Sequence, residues 1–285
     1  MSRPSADRVL VVLPTYNERE NLEAVVTGIL KAVPHANLWI VDDASPDGTG
    51  ELADTIAGVD ARVSAFHRPA KAGLGTAYIE SFSRALEQDY ELMVEMDADL
   101  SHDPQALPEM LADASYADLV LGSRYVPGGS TPNWSLLRRT VSHVGNIVAR
   151  TVLGLPVHDA TTGYRVFRRQ ALERIHLQGI RLQGYGFQIE TVYQCHLAGL
   201  HIHEHPIRFE ERRQGRSKMS KAIVAEALIY VFRRRFEASG RGPSVIDQPD
   251  RVGDGYDPAK ETDGCYDDVE VPAPAQSKVP VDQLE

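Results

Sequence analysis

Short apolar runs alternate with helical spacings along the first 125 residues. Val9–Leu13 is a β-branched run closed by Pro14, and Leu22, Val25, Val26, Ile29 and Leu30 then recur at the period of an amphipathic helix. Leu38–Val41 predicts a second strand ending in Asp42-Asp43. Pro46-Asp47-Gly48 predicts a turn, with Asp47 suited to cap the helix that carries Leu52 and Ile56. Arg62–Phe66 predicts a third strand, Gly75–Leu86 a helix, Glu91–Met96 a fourth strand, Pro104–Leu111 a helix, and Leu119–Leu121 a fifth strand followed by Gly122-Ser123-Arg124. This alternation predicts an α/β fold with a mostly parallel sheet and right-handed crossovers. The polar segments after strands one, two, four and five then fall along one edge of the sheet, where open α/β sheets bind ligands.

Beyond Tyr125 the rhythm changes. Leu136–Leu153 predicts a basic amphipathic helix, with Leu137, Val141, Val144, Val148 and Val152 on one side and Arg138, Arg139 and Arg150 elsewhere. Tyr164–Phe167 reads as a strand, Phe187–Leu197 as a helix, His201–Phe209 as a strand, and Met219–Phe236 as a second apolar helix with cationic ends. No apolar run approaches the length of a membrane span, and no signal peptide opens the chain. The net charge of −10 is unevenly spread. Residues 239–285 hold eleven acidic against four basic residues, so about −7 lies there and about −3 on the other 238 residues. That segment is rich in Gly and Pro and poor in large apolar residues, which predicts a disordered tail behind a folded domain over residues 1–238. Two distant cysteines, Cys195 and Cys265, form neither a metal-site spacing nor a disulfide framework, which fits a reducing compartment.

Chemistry concentrates in Met96-Asp97-Ala98-Asp99, which closes the apolar run Leu92-Met93-Val94. A carboxylate at the end of a buried strand is costly unless it meets water, a partner or a cation. Two hard oxygen ligands there suit Mg²⁺ or Mn²⁺ carrying a diphosphate, and they equally suit a solvated loop or a helix cap. The strand-end segments Pro14-Thr15-Tyr16-Asn17-Glu18 and Val41-Asp42-Asp43-Ala44-Ser45 supply an aromatic ring and further carboxylates, fit either for a nucleoside or for packing and capping. His201, His203 and His205 alternate on one strand face, a pattern open to a metal site or to plain solvation. There is no Ser–His–Asp set and no activated cysteine.

Taken in order and spacing, the three segments ending in Glu18, Thr49 and Asp99 resemble the nucleotide-sugar half of glycosyltransferase family 2. Met96–His102, Gly122-Ser123-Arg124-Tyr125, Arg138–Ser142, Thr162-Gly163-Tyr164-Arg165 and Arg212–Lys218 resemble its polyprenol- and dolichol-phosphate mannose synthases. The resemblance covers about residues 8–236. It implies a glycosyltransferase A-type fold and inverting transfer of mannose from GDP-mannose to a polyprenyl phosphate. The alternatives are a UDP-sugar donor on the same fold, or a non-catalytic nucleotide-binding subunit.

The resemblance also implies the site. The nucleotide would meet Pro14, Tyr16, Glu18, Val41, Asp43, Asp97, Ala98, Asp99, Arg124, Arg212 and Lys218. Asp97 and Asp99 would hold Mg²⁺ or Mn²⁺, and catalysis would rest on Asp97, Asp99 and Arg124. Arg138 and Ser142 would meet the acceptor phosphate. Some members carry a glutamine two positions after the second aspartate, where this chain has Ser101. The implied partners are GDP-mannose, polyprenyl phosphate, a membrane surface and a membrane-embedded subunit, with no nucleic acid. The implied place is the cytoplasmic face of the membrane, as a peripheral protein.

Overall fold

The computed structural model describes residues 9–180, 182, 184–211 and 229–236. Seven strands form one sheet: β1 (Val9–Thr15), β2 (Asn37–Asp42), β3 (Val63–His67), β4 (Leu92–Glu95), β5 (Leu119–Ser123), β6 (Arg165–Arg168) and β7 (Ile202–Pro206). Their order is β3-β2-β1-β4-β6-β5-β7. The first four are mutually parallel where they pair, and β5 pairs with β7 in parallel. The exception is β6, inserted antiparallel between β4 and β5. The strand expected over Tyr164–Phe167 is thus present but reversed, a property that its own apolar pattern does not encode. Reversal sets Arg165 opposite Glu95.

Alternate side chains of the buried strands feed two cores, as a sheet covered on both faces requires. Val9, Val11, Leu13, Leu38, Ile40 and Val94 pack under α1 (Arg19–Ala32) and α4 (Leu107–Asp113) through Leu22, Val25, Ile29 and Met110. Leu10, Val12, Trp39, Met93 and Phe167 pack on the other face with Tyr78 and Phe82 of α3 (Leu74–Leu86) and Phe187 of α7 (Gly184–Leu197). Tyr78 stacks on Phe187 with centroids 6.1 Å apart. Each such side chain taken fully from water contributes roughly 1.5–3 kcal/mol before chain entropy is charged. Helix α2 (Thr49–Val59) follows the turn at Gly48, whose φ of +84° suits glycine. The N-cap position falls on Gly48 rather than on the expected Asp47, which stands one residue earlier and accepts from the Thr49 N–H at 3.0 Å through Oδ1. A short helix the periodicity did not predict, α6 (Arg169–Arg174), follows β6 directly.

Helix α5 (Leu136–Leu153) has its expected bounds and a different orientation. Leu136, Leu137, Val141, Val144 and Ile147 are exposed, whereas Asn146, Ala149 and Leu153 are buried. Of the stripe read from the sequence, Leu137, Val141 and Val144 thus face outward, whereas Val148 and Val152 are half-buried and Val152 packs against the core. Of the apolar helix expected over Met219–Phe236, residues 229–236 are described and are helical through Phe236. Residues 212–228, with Arg212 and Lys218, and the expected tail over 239–285 lie outside the described residues.

Candidate active site

The strand-end segments meet at one edge of the sheet, and their backbones are strained there. Among the described residues four non-glycine residues have positive φ, and three of them fall in these loops: Asn17 at 56°, Ala44 at 57° and Leu100 at 63°. For a side chain as large as leucine this conformation persists only where surrounding contacts enforce it, and such strain clusters at functional sites. The enforcing bonds are identifiable. Asp42 accepts from Thr15 Oγ1 at 3.0 Å, from the Ser45 N–H at 2.9 Å and from Ser45 Oγ at 2.5 Å. Ser45 Oγ accepts in turn from the Asn17 N–H at 3.0 Å. After β4, Asp99 Oδ1 accepts from both the N–H and the hydroxyl of Ser101, at 3.0 and 2.5 Å. Ser101 therefore orients Asp99.

Asp97 and Asp99 occupy the loop directly after β4. Asp99 is buried and Asp97 is partly open, with 30% of its side chain exposed. The Asp97 N–H donates to His102 Nδ1 at 3.1 Å, and the His102 ring stacks on Tyr164 at 4.9 Å. A Cβ at Gly163 would lie 3.6 Å from both Asp97 Oδ2 and Gln188 Nε2, so the 162–163 loop and α7 abut the same carboxylate. Pro14 and Tyr16 are half-buried, and Val41 and Ala98 are buried. Buried Glu18 accepts from Asn21 Nδ2 at 3.0 Å. Asp43 is bonded to Arg68 Nη1 and accepts from the Gly73 N–H at 3.0 Å and the Ala72 N–H at 3.3 Å. Asp43 thus pins the loop after β3, whose Lys71 lies 4.3 Å over the Tyr16 ring. Arg68 and Lys71 join the site through a strand end where no acidic motif marks the sequence.

Arg124 directly follows β5, and Arg138 and Ser142 lie on α5. Arg124 is buried and bound to Asp159 through Nε at 2.7 Å and Nη2 at 2.6 Å, with its own N–H donating at 3.0 Å. Burial alone would raise the Asp159 carboxyl; the Arg124 charge and hydrogen bonds outweigh it and hold the group below its ordinary value. Arg138 lies 4.0 Å over the Trp134 ring and pairs with Glu211 at 3.1 Å. Ser142 Oγ accepts from the Tyr125 hydroxyl at 2.7 Å. Sequence reading missed Asp159, Thr161 and Asn146. The one available signal was the polar run Asp159-Ala160-Thr161-Thr162 just before an apolar strand.

Behind Asp97, Glu95 and Arg165 are both fully buried, 3.5 Å apart. Burial pushes the Glu95 carboxyl up from 4.5 to about 8, against the pull of Arg165. The folded protein then keeps a proton that the unfolded chain loses at ordinary carboxylate pH. The resulting stabilisation is complete below about pH 4 and is lost as pH rises toward 8. Glu95→Gln is expected to flatten that decline, and melting temperatures of both proteins from pH 5 to 8 check it. Parallel curves would contradict it.

Asp97 and Asp99 are the residues of this edge that could hold a divalent cation. Among the described residues no group of three or more His, Cys, Asp or Glu is arranged to hold a metal. His205 pairs with Asp113 at 2.8 Å and with Glu109 at 3.5 Å, His203 lies 3.4 Å from Asp113, and His201 bonds the Tyr116 carbonyl. This alternating set is engaged with carboxylates and backbone. Asp97 and Asp99 are a pair of hard oxygen donors rather than a cage, as suits a cation that completes its shell with water and substrate phosphate.

The model of glycosyl transferase family 2 matches residues 10–176. The chain is 47% identical over 235 residues to undecaprenyl-phosphate mannosyltransferase of Micrococcus luteus, covering 82% of this chain and 97% of that protein. It is 47% identical over 232 residues to polyprenol monophosphomannose synthase of Mycolicibacterium smegmatis, covering 80% of this chain and 87% of that one. Its fold is similar to that of Mycobacterium tuberculosis glucosyl-3-phosphoglycerate synthase in complex with Mn²⁺, UDP and glucosyl-3-phosphoglycerate, with a TM-score of 0.60 at 18% identity over 86% of each chain. Strained loops at the strand ends, an Asp-x-Asp pair and the family match agree: the chain belongs to glycosyl transferase family 2.

Proposed function

We propose that this protein moves mannose from GDP-mannose to a polyprenyl phosphate, releasing GDP. The observation that carries the reading is the 47% identity, over four-fifths of the chain, to two proteins named for polyprenyl-phosphate mannosyl transfer. The chemistry of the edge supports it. Tyr16, Asp43, Glu18, Pro14, Val41 and Ala98 bound the nucleoside side; Arg212 and Lys218, outside the described residues, are given to the donor phosphates by the family resemblance alone. Asp97 and Asp99 would hold Mg²⁺ or Mn²⁺ against the diphosphate; the structural neighbour was captured with Mn²⁺ and UDP. When bound, the cation neutralises charge building on the departing nucleotide.

The acceptor needs no general base. By analogy with phosphorylated side chains, a phosphate monoester loses its second proton near pKa 6, so its oxyanion is available at neutral pH. That oxygen attacks the anomeric carbon from the side opposite GDP. The new C–O bond forms as the bond to the diphosphate breaks, with inversion. Arg138 and Ser142 orient the acceptor phosphate. Arg124, fixed by Asp159, presents a positive charge to the donor diphosphate without a reorganisation cost.

The reading also accounts for α5. Its exposed Leu136, Leu137, Val141, Val144 and Ile147, beside Arg138, Arg139 and Arg150, fit the interface of an anionic lipid bilayer. The 229–236 helix adds exposed Ile229, Phe232 and Phe236 next to Arg233 and Arg235. Among the described residues no helix is long and apolar enough to cross a membrane. Leu136→Glu with Leu137→Glu is expected to weaken binding to vesicles containing anionic lipid by at least about ten-fold, since two leucines lose their apolar burial. The same pair is expected to spare transfer to a short, water-soluble acceptor. Sedimentation with vesicles and assays on both acceptors check this, and unchanged vesicle binding would assign the face to another occupant, such as a membrane-embedded subunit.

A donor panel tests the reading as a whole. With a short polyprenyl phosphate and Mg²⁺, label is expected to enter lipid from GDP-mannose, with GDP competing and UDP competing poorly. Preferential labelling from UDP-glucose or a UDP-amino sugar would overturn the donor assignment.

A further inference from the structure

We propose that Asn146 is a positioning residue that holds α5 in register with the Arg124–Asp159 pair and thereby sets use of the lipid phosphate. This inference rests on the functional reading above. It starts from an oddity of α5: a helix that exposes Leu136, Leu137, Val141, Val144 and Ile147 buries an amide, with Asn146 only 2% exposed. A buried amide is costly unless its bonds are made, and here they are made. Asn146 Nδ2 donates to the Ser142 carbonyl at 3.1 Å and to Thr161 Oγ1 at 3.0 Å, and Oδ1 accepts from the Ala160 N–H at 2.9 Å.

Thr161 Oγ1 is shared. It also accepts from Arg124 Nη2 at 2.8 Å and donates to Asp159 Oδ1 at 3.3 Å. From the other side, Tyr125, next to Arg124 in the chain, donates its hydroxyl to Ser142 Oγ at 2.7 Å. The path Arg124–Tyr125–Ser142–Asn146–Thr161–Arg124 is therefore a closed ring joining α5 to the 159–162 loop and the end of β5. Sliding α5 by one residue moves it about 1.5 Å and breaks the Ala160 and Thr161 bonds to Asn146 together with the Tyr125–Ser142 bond. Apolar contacts tolerate such slips, whereas one satisfied buried polar group selects a register. Arg138 and Ser142 ride on this helix, so its register fixes where an acceptor phosphate meets them relative to Arg124. Asn146 acts through Ser142 and Thr161 and touches neither substrate.

Steady-state kinetics with GDP-mannose and a short polyprenyl phosphate varied independently test the inference on the full chain. Asn146→Ser and Thr161→Val are each expected to raise the acceptor KM roughly five- to ten-fold, the worth of one buried hydrogen bond. The donor KM is expected to rise less than the acceptor KM. Thr161→Ser, which keeps the hydroxyl, is expected to restore the acceptor KM. The double variant is expected to be no worse than either single one, because both cut the same ring. If Asn146→Ser does not fold, the Thr161→Val and Thr161→Ser pair decides. An unchanged acceptor KM, or equal changes for both substrates, would overturn the role of Asn146 while leaving the functional reading intact. Wild-type protein that transfers no mannose to lipid would overturn that reading and the inference with it.

Discussion

Asp97→Asn and Asp99→Asn are each expected to cut mannosyl transfer by about two to three orders of magnitude, the scale seen when one preorganised group facing transition-state charge is removed. Each change keeps size and a carbonyl oxygen but removes the charge that balances a divalent cation. The fold should survive both. Asp97 is partly exposed, and in Asp99→Asn a carbonyl oxygen still accepts from Ser101. Melting temperatures close to wild type are therefore expected alongside the activity loss. Wild-type protein in excess chelator is expected to lose transfer similarly. Full activity of either variant, or of wild type in chelator, would contradict the proposed role of the pair.

The second large effect is on stability. Asp159→Ala leaves the buried guanidinium of Arg124 without its counter-charge. Breaking a buried pair from one side costs roughly 3–5 kcal/mol. For a folded body of this size that corresponds to a fall in melting temperature of about 6–20 °C. Replacing both partners, as in Arg124→Met with Asp159→Leu, is expected to recover much of the loss, since no buried charge is then stranded. The direction with pH follows from the lowered Asp159 carboxyl. Its contribution is present above the ordinary value of 3.8 and is lost as pH falls through the folded value, so the gap between wild type and Asp159→Ala should narrow in acid. Thermal melts at neutral and acidic pH measure both statements. A single variant as stable as wild type would mean that Arg124 finds other partners when Asp159 is removed.

Much of this architecture is legible along the chain because its parallel strands are buried on both faces. Continuous runs such as Val9–Leu13 and Leu92–Val94 have few alternatives, and strand ends follow from where carboxylates begin. The Asp-x-Asp pair is legible for the same reason: a charge closing an apolar run is expensive and therefore conspicuous. What was not legible depends on contacts between distant segments. The reversal of β6 turns on how the chain crosses the sheet after α5, and its four residues carry no direction. The outward face of α5 was hidden because Leu137, Val141 and Val144 read with Val148 and Val152 as one core face until Asn146, Ala149 and Leu153 are seen to be the buried side. Asp43 and Arg124 look in sequence like ligand groups. In the fold each is tied to a protein partner, Arg68 and the 72–73 backbone for one and Asp159 for the other, and spacing alone cannot announce such a pairing. Arg68 and Lys71 escaped notice because the loop after β3 carries no acidic motif.

The central claim is tested most directly by the stoichiometry and stereochemistry of one reaction. Purified protein is incubated with GDP-mannose, Mg²⁺ and a short polyprenyl phosphate; GDP release and mannose in the lipid extract are quantified together, and the anomeric configuration of the product is read by NMR. The account predicts one lipid-linked mannose for each GDP released, joined through phosphate with the anomeric centre inverted relative to the donor. Release of GDP without lipid-linked mannose, or a product of retained configuration, would contradict it.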